Sequence, residues 1–475
     1  MFTASSFIPG ATVAATSHTE FRRPQDGSVI GRIGEAGPDG VDAAVTSAGE
    51  TFRAHRKTPL ATRVAWLKAA AKAIRDNAAE LADLVSEDVG KPIRMARFEA
   101  NRGAEFIEAC AAAAPQLRGE VLSLDAAAAG AGLIGMTRRV PYGVVAGITP
   151  FNAPINLLVQ KVAPAIAVGN AIVVKPAFAG TRVALRLAEL FVAAGWPEGL
   201  FNVVTGDKDS AIALASHPGV AAISFTGGTA AGNDLVRAAG ARKFLAELGS
   251  NAANIVLADA DLALAASRIA SAGFEASGQQ CISAQRVLVD RAVLGEFLLL
   301  FVAAARALKV GAASDATTDV GPMVHAGAAE RVMGMVADAV ERGATLALAP
   351  ERNGATISPG ILTGVTRESR LWNEEVFGPI VVVTAFDGTD QAIELANDSD
   401  FGLQGAVFTR SLAHAMRFAD DMEVGSLWIN EASRFRLDMY PFGGVKQSGI
   451  GREGVEYAME EMSQIKFIGI RPGAS

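Results

Sequence analysis

Cys281, one of only two cysteines in the chain, stands in Ser277-Gly278-Gln279-Gln280-Cys281-Ile282-Ser283, among small, polar and glycine neighbours. A thiolate attacks carbonyl carbon where a thiol does not. A nucleophilic cysteine therefore needs exposure and nearby donors or positive potential, which this setting offers. Taken alone, such a cysteine is more often a small core residue, and the case for a nucleophile rests on two stretches upstream. Glu247 ends a short apolar approach, 244–246, and precedes Leu248-Gly249-Ser250. A carboxylate in a semi-apolar cleft gains the basicity needed to activate water. Asn152, in Pro150-Phe151-Asn152, places an amide donor at a strand end beside Pro154, suited to an oxyanion. Singly, these are a surface glutamate and a turn residue. Together with Cys281 they supply a base, an oxyanion donor and a nucleophile.

A second group of motifs suits a phosphate-bearing ligand. Phe225-Thr226-Gly227-Gly228-Thr229-Ala230-Ala231-Gly232 follows a strand pattern and opens a helical one. Backbone N–H groups at a helix start attract phosphate, and glycines let the backbone approach it. Lys175 ends its strand before Pro176, within reach of a ribose or phosphate. Glu374-Glu375-Val376-Phe377-Gly378-Pro379 joins acid and aromatic in a loop able to bracket a ribose and a flat ring. Gly449-Ile450-Gly451-Arg452-Glu453-Gly454 matches the dinucleotide pattern literally, but no βαβ unit follows it, so it is set aside as a glycine-rich loop near the site.

These residues must be held by regular elements. From Tyr142 onward, short β-rich runs at 144–148, 171–174, 201–204 and 221–225 alternate with helical periodicity, the pattern of a doubly wound parallel sheet. In such sheets ligands lie beyond the carboxyl ends of the strands, where residues 149–152, 175–176 and 225–229 fall. A second α/β lobe spans about 251–430, with strands at 255–258, 286–290, 380–384 and 427–429 and helices near 262–276, 294–308 and 328–342. Before the first sheet lie an irregular edge hairpin over 1–36, a helix from 38 to about 52, one long helix over 61–85 ended by Gly90 and Pro92, and another over 93–114 that packs Cys110. Residues 121–139 read as a β arm or hairpin, and 459–470 as an edge strand that pairs with it or with another subunit.

Composition narrows the class. With 475 residues, half of them apolar, the chain exceeds one ordinary core and implies about three domains or subdomains. A net charge of -7, without any basic run, argues against a nucleic-acid partner. Cys110 and Cys281 form no disulfide framework, and His18, His55, His217, His325 and His414 are scattered, so no metal site is expected. No basic segment followed by an apolar core opens the chain. The apolar run 297–305 stops at Arg306, short of the ~20 residues that span a bilayer. The expected compartment is the cytoplasm.

Read together, these stretches resemble the aldehyde dehydrogenase superfamily, in the family's order and over nearly the whole chain. Pro150-Phe151-Asn152 resembles its oxyanion motif, and Gly278-Gln279-Gln280-Cys281 its nucleophile loop. Glu247-Leu248-Gly249 is similar to its general-base motif and Glu375-Val376-Phe377-Gly378-Pro379 to its nicotinamide-ribose motif. Pro441-Phe442-Gly443-Gly444-Val445-Lys446 with Ser448-Gly449 resembles its C-terminal signature. The resemblance implies cofactor contacts at Ile148, Thr149, Pro150, Phe151, Lys175, Phe178, Phe225, Thr226, Gly227, Gly228, Gly232, Leu248, Glu375 and Phe377. It also implies a Rossmann-type cofactor domain (1–120 and 140–248), an α/β catalytic domain (249–445) and a small β oligomerisation arm (121–139 and 459–475), assembled as a homodimer or homotetramer.

The activity so implied is oxidation of an aldehyde to a carboxylic acid with NAD+ or NADP+. It runs through a Cys281 thiohemiacetal and thioester, the oxyanion held by Asn152 and the Cys281 N–H, and ends in hydrolysis by water activated by Glu247. Phe178 stands where NAD-preferring relatives often carry a ribose-binding glutamate, so both cofactors stay open. Residues 434–442 look most like the branch acting on lactaldehyde, phosphonoacetaldehyde and similar small polar aldehydes. Arg102 and Arg436 are the candidates to pair with an anionic tail, with a structural ion pair as the competing role for each. Phe151 and Phe435 keep aromatic aldehydes open. Glu247 argues against acyl transfer to coenzyme A, the three site residues together argue against a non-enzymatic binding protein, and no histidine is placed for a Cys-His hydrolase.

Overall fold

Runs of Val, Ile and Ala too apolar for a half-solvated sheet form strands buried on both faces, as parallel sheets require. The computed structural model describes residues 1–11 and 13–473. Its first large sheet contains β1 (Val144–Thr149), β2 (Ala171–Pro176), β3 (Phe201–Val203), β4 (Ala222–Thr226) and β5 (Lys243–Glu247). These lie parallel in the order β5-β4-β1-β2-β3, and the two-residue strand Gly449–Ile450 adds antiparallel to the edge of β5. The glycine-rich 449–454 loop thus returns from the far end of the sequence to the first sheet.

Helices cover this sheet, among them α1 (Ile93–Ala113), α2 (Asn156–Val168) and α3 (Thr229–Ala239). Cys110 is fully buried on α1. The long helix expected over 61–85 is instead two, Leu60–Asp76 and Ala78–Val89. Asn77 breaks it: its side-chain N–H donates to the Ala73 carbonyl at 2.8 Å and its φ is -114°. An amide that bonds locally competes with the helix ladder even where apolar periodicity continues. Gly90, in the left-handed region at φ 75°, closes the second helix.

The 1–36 segment is a three-stranded sheet rather than a hairpin, because Phe2–Ala4 adds parallel to Val29–Glu35 on the side away from Ser17–Arg22. The second lobe holds a seven-stranded sheet centred on Ala253–Val256, Arg286–Asp290 and Ile380–Phe386. It includes three strands the sequence pattern missed, Thr345–Leu348, Gly360–Thr363 and Gln404–Phe408. Separate apolar clusters fill the space around the first sheet and beside the second. Ile134–Pro141 pairs antiparallel with Ser463–Ile470 across eight residues, with Val121–Leu122 on its other edge. The expected strand over 459–470 begins only at Ser463, since Val455–Glu461 is helical. Positions 474 and 475 of the expected arm lie outside the described residues. No helix among the described residues is long and apolar enough to cross a membrane.

Candidate active site

Sheet register gathers the upstream motifs. Ile148 at the end of β1 is level with Lys175 on β2 and with Phe225 on β4, while Phe225 and Thr226 are level with Ala246 and Glu247 on β5. Four motifs far apart in the chain therefore emerge along one carboxyl edge, the ligand edge of a doubly wound sheet. The chain after β1 passes through Pro150, Phe151 and Asn152 before entering α2. The N–H groups of Ile155 and Asn156 donate to the Glu99 carboxylate from α1 (2.8 and 3.3 Å), and Lys91 pairs with the other Glu99 oxygen.

Cys281 and Asn152 line one cavity of about 480 Å³, together with Arg102, Gln160, Phe435 and Arg436. Phe151 lies outside that lining, edge-on to Phe377 at 5.8 Å between centroids. The Asn152 side chain donates to the Gln279 carbonyl at 2.8 Å, two residues before the cysteine. Cys281 is half-buried. Burial pushes its thiol up to about 12; Arg436 opposes this, while Glu375, Glu247 and Glu453 add to it.

Glu247 is 2% exposed, and neither carboxylate oxygen has a hydrogen-bond partner. Burial, seconded by Glu453, holds its carboxyl well above the usual carboxylate range against the pull of Arg436, Lys161 and Arg452. Around it runs a buried ionic network that no sequence motif announces. The Lys161 ammonium, on α2, donates to Ser224 Oγ (3.1 Å), Thr226 Oγ1 (2.7 Å) and Glu453 Oε1 (3.0 Å). Arg436 donates to Glu453 Oε2 (3.3 Å) and Gln160 Oε1 (3.0 Å) and lies 3.6 Å above the Phe442 ring, while its Nε is buried without a partner. Arg102 is held bidentate by Asp438 at 3.1 and 2.7 Å. Both candidate arginines thus line the cavity and both carry ion pairs. Ser448 has a role that its place in a glycine-rich stretch does not reveal: its carbonyl accepts from Leu248 N–H, and its hydroxyl donates to the Gly249 carbonyl at 2.7 Å, fastening the Glu247 turn.

The opposite side fits a dinucleotide. Gly228 is the N-cap of α3, and a Cβ built there would meet nothing within 4 Å, so the helix start with its free N–H groups faces open space. A Cβ at Gly232 would fall 2.5 Å from the Leu248 side chain, so that glycine serves close packing. Burial brings Lys175 down to about 8; Asp207 and Glu35 oppose this through charge alone, without a hydrogen bond. Glu375 accepts from Ser250 N–H at 3.0 Å, and burial pushes it up to about 7. Phe377 holds a left-handed φ of 47°, and Phe178 stacks on Phe21 at 5.4 Å.

A doubly wound sheet with a dinucleotide edge, facing a cavity with a cysteine and an amide, defines an oxidoreductase of carbonyl compounds. The model of the aldehyde dehydrogenase family matches residues 12–468, and the chain belongs to that family. It is 41% identical over 437 residues to the 3-sulfolactaldehyde dehydrogenase of Priestia megaterium, covering 92% of this chain and 91% of that one. It is 37% identical over 450 residues to the lactaldehyde dehydrogenase of Methanocaldococcus jannaschii, covering 94% and 96%. Among solved structures it superposes with TM-score 0.96 and 34% identity on the NADP-dependent glyceraldehyde-3-phosphate dehydrogenase of Bacillus halodurans complexed with NADP, over 99% of each chain. The protein is an NAD(P)-dependent aldehyde dehydrogenase with the expected α/β fold.

Proposed function

We propose that Cys281, Asn152 and Glu247 carry out a hydrolytic oxidation of a small polar or acidic aldehyde. The Cys281 thiolate, its proton released to water, adds to the aldehyde carbon; the C=O π pair moves onto the oxygen, which is held by an Asn152 N–H and the Cys281 backbone N–H. A bound NAD(P)+ supplies the hydride acceptor. Glu247 takes a proton from water as that water attacks the resulting thioester, the C–S bond breaks, and the acid leaves.

The observation that carries this reading is the Glu247 carboxylate: 2% exposed at the carboxyl end of β5, with neither oxygen hydrogen-bonded among the described residues. Two bare acceptor oxygens are costly inside a protein unless a ligand or water uses them. Glu247→Gln is expected to keep a single-turnover burst of reduced cofactor and lose steady-state turnover. Unchanged turnover would remove Glu247 from the base role.

The substrate class draws on the 3-sulfolactaldehyde and lactaldehyde relatives and on Arg436, which lines the cysteine cavity and keeps a buried Nε without a partner. Arg102 is a secondary contact at the same wall. Residues 1–120 with 140–248 form the cofactor domain, 249–445 the catalytic domain, and 121–139 with the C-terminal strand the arm. The protein works in the cytoplasm as a homodimer or homotetramer. The arm supports the assembly, since Ile465 and Phe467 on its edge strand are 65% and 52% exposed.

A further inference from the structure

We infer that Gln279 is a positioning residue that aims the Asn152 amide; this rests on the reading of Asn152 as the oxyanion donor. An asparagine amide has two N–H donors. One is committed to the Gln279 carbonyl at 2.8 Å, which fixes the plane of the group and leaves the other for the oxygen of a substrate bound to Cys281, two residues further on. Without that anchor the amide is free to rotate about its terminal torsion, which is broad and offers no preferred stop.

The carbonyl points at Asn152 only because the preceding backbone is forced to turn. Ala276, Ser277 and Gly278 take left-handed φ values of 52°, 58° and 62° in succession. Two of these are L-residues outside their favoured region, a strain that the surroundings must over-determine. Two side-chain tethers do so. Ser277 Oγ donates to the Gly321 carbonyl at 2.7 Å, and Gln279 Oε1 accepts from the Val324 N–H at 3.0 Å. A Cβ at Gly278 would sit 2.3 Å from the Gly378 carbonyl, so the turn also abuts the Glu375–Phe377 loop. Gln279 thus couples both ends: its side chain clamps the turn, and its carbonyl holds the amide.

The test combines stopped-flow hydride transfer with alkylation of Cys281 by iodoacetamide, which needs the thiol but no oxyanion donor. Asn152→Ala is expected to slow hydride transfer about 100-fold, and Gln279→Ala at least 10-fold, on the order of the cost of a 1 Å misplacement. Alkylation should fall by less than hydride transfer in Gln279→Ala, because it needs the thiol but no aimed amide. Gln279→Glu, which keeps the acceptor for Val324, should recover most of the rate. The double variant should be no slower than about threefold below Asn152→Ala alone, since there is then no amide left to aim. Losses that multiply in the double variant, or a Gln279→Ala rate near the parent's, would overturn the inference. If Gln279→Ala does not fold, Ser277→Ala must show the same non-additivity with Asn152→Ala, and multiplication there is equally fatal. Unchanged hydride transfer in Asn152→Ala would instead sink the oxyanion reading itself.

Discussion

Lys161, on helix α2, and Lys175, on strand β2, are both withdrawn from solvent, at 0% and 8% exposure, yet their surroundings are opposite. Lys161 spends all three ammonium hydrogens, on Ser224, Thr226 and the Glu453 carboxylate. Lys175 has charged neighbours but no hydrogen bond, and burial brings it down to about 8. A buried ammonium is tolerated when it is paired and its donors are satisfied. The first lysine therefore belongs to the fold. The second has no such pairing among the described residues.

The contrast is broken most sharply by removing the first lysine. Lys161→Met strips Glu453 of one of its two cations while leaving it 1% exposed. Breaking a buried pair on one side costs about 3–5 kcal/mol. Thermal or urea denaturation should show that loss, and a variant as stable as the parent would mean that Arg436 alone satisfies Glu453.

Lys175→Met should do the reverse. A lysine whose folded pKa lies below its unfolded value destabilises the fold at pH below about 8, where the folded state must keep a proton it holds poorly; the penalty fades as pH rises toward the ordinary lysine value. Every tenfold weakening of proton binding in the folded state corresponds to ~1.4 kcal/mol. The variant is thus expected to be more stable than the parent at pH 7, by up to roughly 3 kcal/mol on that scale, with the gap closing as pH approaches the ordinary lysine value. Its KM for the dinucleotide should rise about 10-fold, the worth of one charge-assisted hydrogen bond. A melting-temperature series across pH, with initial rates at varied cofactor, checks both. Loss of stability at pH 7 would place Lys175 with Lys161 among the structural residues.

How much of this was legible in the sequence follows from where each partner lies. The parallel sheet and the glycine-marked turn before α3 are local signals, since a strand, a turn and a helix start follow one another within a few residues. The ionic network is not local. Arg102 and Asp438 are 336 residues apart, and Lys161 and Glu453 are 292 apart, so the sequence allows an ion pair for each arginine without naming its partner. Lys161 did leave a trace, as the single charge in an otherwise largely apolar helix, Asn156–Val168. A charge on a helix with no polar face has to meet a partner inside. The break at Asn77 was hidden for the opposite reason, because apolar periodicity runs through it while only a side-chain hydrogen bond interrupts the ladder. Strands 345–348 and 404–408 were missed because short apolar runs there carry no alternation to mark them.

The smallest expected effect on the fold gives the cleanest view of the cofactor edge. Gly228 has an ordinary φ of -66°, and a methyl group there would touch nothing. Gly228→Ala should stay within ~1 kcal/mol of the parent, since the loss of unfolded-state freedom is offset by alanine's poorer fit at an N-cap. If the open space above the start of α3 is where the phosphates lie, the same methyl group intrudes on the backbone approach that glycine allows. Dinucleotide affinity, measured by quenching of tryptophan fluorescence or by calorimetry, should then fall while the alkylation rate of Cys281 in the free enzyme stays unchanged. A variant that binds cofactor normally would show that the helix start is only a turn.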